Sequence, residues 1–138
     1  MTAKEYLGQI RLAEIRIRQM EEQLDGCHRQ SDGVLVQHSQ SNVTEDRLIS
    51  QIDREREILS AIEEQTQLRL RITMEIHKLN NATYIQLLYA RYVRLQKFEQ
   101  IALDMGYEYS WVRHLHKDAL DAFAELYGLE KSVAESAE

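Results

Sequence analysis

From Ala3 to Leu24 the apolar residues Ala3, Tyr6, Ile10, Ala13, Ile17, Met20 and Leu24 recur at alternating steps of three and four. That spacing places them on one narrow stripe of a helix, with Arg and Glu over the rest of its surface. A seam this narrow holds only when a partner helix covers it, and at 1.5 Å per residue the segment spans about 35 Å. Between Gly26 and Asn42 the chain reads GCHRQSDGVLVQHSQSN, without helical period, and predicts a long loop over 26–43.

A second helix is expected from Thr44, whose hydroxyl can cap it while Glu45 and Asp46 favour its positive end. Leu48, Ile52, Leu59 and Ile62 carry its seam, and with Ile10, Ile17 and Leu24 they are the residues assigned to an arm or dimer interface. Beyond Gln65, Leu68, Leu70, Ile72, Met74 and Ile76 alternate with polar residues as in a strand, yet a lone strand would have no pairing partner. Read as helix to Leu79, the stretch is apolar on two faces and so touches two neighbours. The expected arrangement is an antiparallel helical hairpin over residues 1–79, with a homodimer formed through it.

Asn80 and Asn81 break the pattern, and Thr83 is the expected cap of a third helix along YIQLLYARY. Phe98, Ile101, Ala102 and Met105 mark a fourth, Gly106 its end, and Val112, Leu115, Ala119, Leu120 and Phe123 the buried face of a fifth. A small residue at Ala102, a glycine four later and a branched residue at Val112 are what a tight turn between two packed helices requires. The reading is therefore all-α: a hairpin arm, a helix-turn-helix module over 80–128 and a flexible tail over 129–138.

Composition agrees with this. No proline occurs in 138 residues and glycine only five times, so little interrupts a helix. Seventeen Lys and Arg face 23 acids, a formal charge of −6, which excludes general coating of nucleic acid and confines any such contact to a local patch. There is no apolar run of membrane-spanning or signal-peptide length, and the single Cys27 suits a reducing compartment, so a cytoplasmic protein is expected. Cys27, His28 and His38 do not complete a metal-ligand pattern, and His114 and His116 point to different sides of a helix. No nucleophile turn or glycine-rich phosphate loop is present, so neither catalysis nor a cofactor is expected. Trp111 reads as a half-buried structural residue, Tyr84, Tyr89 and Tyr92 as core or interface, and Arg69 and Arg71 as solvated chains on apolar stems.

The stretch LLYARYVRLQKFEQIALDMGYEYSWVRHLHKDALDAF resembles region 4 of bacterial sigma factors. It is especially similar to the region-4-like proteins of phages and prophages of low-GC Gram-positive bacteria, among them the RinA-like and ArpU-like late-gene regulators. MTAKEYLGQIRLAEIRIRQMEEQL resembles the opening of one phage branch of that group. The resemblance implies a transcriptional regulator in the bacterial host cell that binds double-stranded promoter DNA, with host RNA polymerase as a possible partner. It implies that Tyr109, Ser110, Arg113 and His114 face base edges and that Lys117 meets phosphate. Arginine can pair with guanine through two hydrogen bonds, which gives Arg113 most of the direct readout. The acidic balance, Glu108 and the two-faced second helix motivate the alternative: a module that contacts protein, as a polymerase adaptor or an inhibitor of a host defence factor.

Overall fold

The computed structural model describes the backbone of residues 1–36 and 41–131 and the side chains of residues 1–27 and 45–131. Among these residues the structure is helical, with no strand beyond one isolated parallel bridge between Thr2 and Glu130. The helices are α1 (Ala3–Val36), α2 (Ser41–His77), α3 (Ala82–Leu88), α4 (Phe98–Met105) and α5 (Tyr109–Tyr127). A π-helical turn, Tyr89–Val93, continues α3.

Three boundaries differ from expectation. Of the loop expected over 26–43, residues 26–36 belong to α1 and 41–43 to α2, while 37–40 lie outside the described residues. One glycine costs a helix only about 1 kcal/mol relative to alanine, and no proline enforces a stop. The expected Thr44 cap, His28 and His38 lie outside the described side chains. The cap of α3 is Asn81 and not Thr83, its side chain accepting from the backbone N–H groups of Thr83 and Tyr84 at 3.0 and 3.2 Å. Leu129 and Glu130, expected in a flexible tail, are tied down: Leu129 N–H bonds to the Ala124 carbonyl at 2.8 Å and Glu130 N–H to that of Met1 at 3.1 Å. Residues 132–138 lie outside the described structure.

The chain divides into two compact units, one of Met1–Leu12 with the residues from Leu68 onward, the other of Ala13–Gln67. The first has two clusters of buried side chains. Ala3, Leu7 and Ile10 of α1 pack with Ile72, Ile76 and Leu79, Leu88 and Tyr92, and Ala119, Leu120, Phe123 and Ala124. Leu87, Ala90, Ile101, Ala102 and Val112 form the second cluster, with Phe98, Met105 and Leu115 at its edge. Polar bonds pin the larger cluster: the hydroxyl of Tyr6 donates to the Glu75 carboxylate, and that of Tyr127 to the Glu75 carbonyl at 2.8 Å.

The second unit is thinly packed. Among its described residues the buried apolar ones are Ala13, Ile17 and Cys27, and Gln51 is buried with them. Traced back along α2 from Ile76 and Ile72, three-four spacing passes through Arg69, Gln65, Ile62, Ile58, Glu55, Gln51 and Leu48, and all of these are at least half-buried. Half of that inward stripe is polar, and the Gln65 Oε1 is buried with no hydrogen-bond partner.

The residues assigned from sequence to an arm or dimer interface fall in different surroundings. Ile10 belongs to the core of the first unit and Ile17 is buried in the second, while Leu24, Leu48 and Ile62 are half-buried. Ile52 and Leu59 do not lie on the inward stripe. They are 47% and 51% exposed, one position out of phase with Gln51 and Ile58.

Candidate nucleic-acid interface

The turn between α4 and α5 is built by its backbone. Gly106 ends α4 in the left-handed region, φ 73° and ψ 29°, and the next N–H, of Tyr107, bonds to the Ala102 carbonyl at 3.0 Å. A Cβ at Gly106 would meet nothing within 4 Å, so it is the positive φ and not space that calls for glycine. Beyond the turn Glu108 precedes α5 in extended conformation, its side chain making no cap hydrogen bond, while its carbonyl accepts from Val112 N–H at 3.0 Å.

Val112, fully buried against Ile101 and Ala102, fixes how α5 turns about its axis. Because 112, 116, 119, 120 and 123 point inward, 110, 113 and 114 point out, and Tyr109, Ser110, Arg113 and His114 are all exposed. Lys117, one turn on, is half-buried. The structure therefore brings the five residues assigned from sequence to the first three turns of α5.

Their neighbours limit what they can do. The Arg113 guanidinium lies 6.0 Å from the centre of the Tyr109 ring. His114 stacks on Trp111, ring centres 5.4 Å apart, and its Nε2 lies 3.5 Å from an oxygen of Asp118. Of the other basic side chains in this unit, Arg91 is committed, lying 4.2 Å over the Phe98 ring and donating to the Gln96 carbonyl at 3.0 Å. Arg94 and Lys97 are exposed.

Two features escaped the sequence reading. His116 is a core residue, bonded through Nε2 to the Tyr92 hydroxyl at 2.8 Å and met edge-on by Phe98 at 4.9 Å. Burial, then the positive charge of Arg91, Lys4 and Arg113, lowers its pKa to about 4. The signal was its place four residues after Val112 and four before Leu120. Second, Leu103, Tyr107 and Tyr109 are exposed beside the half-buried Trp111, giving the turn and the start of α5 an aromatic and apolar surface.

Neither a protein-family model, nor a curated protein, nor a solved structure matches this chain. The reading of the site therefore rests on its own residues. Among the described residues no helix is long and apolar enough to cross a membrane.

Proposed function

We propose that the chain is a DNA-binding transcriptional regulator whose module from α3 to α5 is a sigma-region-4-like helix-turn-helix, with α5 entering the major groove. The observation that carries this reading is the combination at the turn: a left-handed Gly106, a buried Val112, and Tyr109, Ser110, Arg113 and His114 exposed together at the start of one helix. Arg113 is the residue for base contact, and Arg94, Lys97 and Lys117 are the cations for phosphate. Three phosphate contacts by cations give a salt slope of log affinity of about −3.

Fluorescence anisotropy on a pool of random duplexes at low salt tests this, followed by selection of the tightest fraction. Arg113→Ala is expected to weaken the selected site by about 1–3 kcal/mol and to relax its sequence preference, whereas Lys117→Ala weakens all sequences alike. Absence of duplex binding by the wild type at low salt would sink the reading.

One observation favours a second reading, in which the same face meets protein, a host polymerase subunit or a host defence factor. Exposed Trp and Tyr beside an arginine are the composition of protein-interface hot spots. Here Trp111→Ala would abolish a nuclease-resistant complex with a purified host factor and leave duplex binding unchanged.

A further inference from the structure

The net charge of the chain is not spread over it. Residues 13–67 hold six arginines and twelve acids, a formal −6, while the remaining residues hold eleven basic and eleven acidic side chains. The unit Ala13–Gln67 thus carries the whole of the net charge. It is also the unit in which polar and apolar residues are inverted: Gln51 is buried while Ile49, Ile52 and Leu59 are 58%, 47% and 51% exposed.

Those three residues lie at three- and seven-residue steps on α2 and form one stripe, beside but not on the inward stripe. Glu45 and Glu63 stand on the same stripe at either end, Asp46 and Asp53 along one edge, and Arg56 in its middle. All five are exposed. The arrangement is an apolar strip in an acidic frame. A second copy of the chain would bring the same acids against it, which opposes pairing, whereas a helix with apolar residues flanked by Lys and Arg would satisfy both the strip and its frame.

We propose that the Ile49, Ile52 and Leu59 face of α2 is a docking surface for a basic amphipathic helix of another protein. The surface is independent of the DNA reading, since none of its residues belongs to the α4–α5 site. Binding draws on apolar burial at the strip and on charge at its frame, so it weakens with salt but does not vanish, and it loses specificity once the strip is made polar.

The test uses the full chain and two synthetic helical peptides with leucine at heptad spacing, one with lysine and one with glutamate at the flanking positions. Titration by fluorescence anisotropy is expected to show saturable binding of the lysine peptide and none of the glutamate peptide. The double substitution Ile52→Asp and Leu59→Asp is expected to weaken the lysine peptide at least tenfold, with helical circular dichroism unchanged because both positions are exposed. Equal binding by the double variant would overturn the proposal by showing a nonspecific charge effect, as would failure of the lysine peptide to bind. Self-association abolished by the double variant in sedimentation velocity would overturn it in favour of a second copy.

Discussion

His116 shows how a single buried polar side chain couples packing to pH. Its folded pKa is lowered from 6.5 to about 4, so between these values the unfolded chain takes up a proton that the folded chain excludes. The stability it contributes is complete above pH 6.5 and is lost as pH falls toward 4, a change of about 3 kcal/mol at 1.36 kcal/mol per unit. Urea unfolding of the wild type and of His116→Phe at pH 7.5, 5.5 and 4.5 is expected to show the wild type losing stability more steeply, by a difference of that order. Parallel pH dependences of the two would contradict it. The residue's role was legible only in part: its register on α5 was visible, but histidine's polarity hid that Tyr92, 24 positions earlier, satisfies it inside the core. Trp111 was expected half-buried and is 49% exposed; what its size did not show is that Val112 takes the inward place and the indole stacks on His114.

Elements were legible where one stripe dominated. The bounds of α4 and the αL turn at Gly106 follow from the spacing of Ala102, Gly106 and Val112, and substitution at the glycine can be predicted. Gly106→Ala is expected to lower stability by about 1 kcal/mol, the cost of a non-glycine residue in the left-handed region, with no steric clash to add. Phe123→Ala is expected to cost about 3–5 kcal/mol, because its ring is fully buried between Tyr6 and Tyr127, at 5.9 and 4.7 Å. Thermal unfolding of both variants beside the wild type measures the contrast. The phase of α2 was not legible. The more apolar stripe, Ile52 and Leu59, was the natural choice, but the continuation of Ile72 and Ile76 selects Gln51, Glu55 and Gln65, and a helix can turn only one set inward. Side-chain polarity alone could not reveal that the inward set is the poorer one.

At the scale of the whole molecule, the all-helical class followed from the absence of proline and the length of the periodic runs, whereas the division into units did not. A hairpin arm followed by a separate module is the simplest parse of a sequence read in order, yet residues 1–12 share a core with residues from α2, α3 and α5. Such long-range packing leaves no local mark, since Leu7 and Ile10 would serve equally well against any apolar face. Leu7→Ala is therefore expected to destabilise the unit that contains α5 by about 2–5 kcal/mol, as large a loss as a core truncation within α5 itself. Chemical denaturation followed by Trp111 fluorescence reports on that unit, and a change below about 1 kcal/mol would show that the α1 residues are not part of its core.

The pairing of Thr2 with Glu130 joins positions far apart along the chain, and the core behind it does the same, Leu7 and Ile10 sharing it with Leu120 and Phe123 more than a hundred residues later. Contacts of such separation must close a long loop before they reward it, which slows folding. Through that interval the apolar stripe of α1 stays without its native cover, the kind of exposure that makes a chain prone to aggregate and dependent on chaperones.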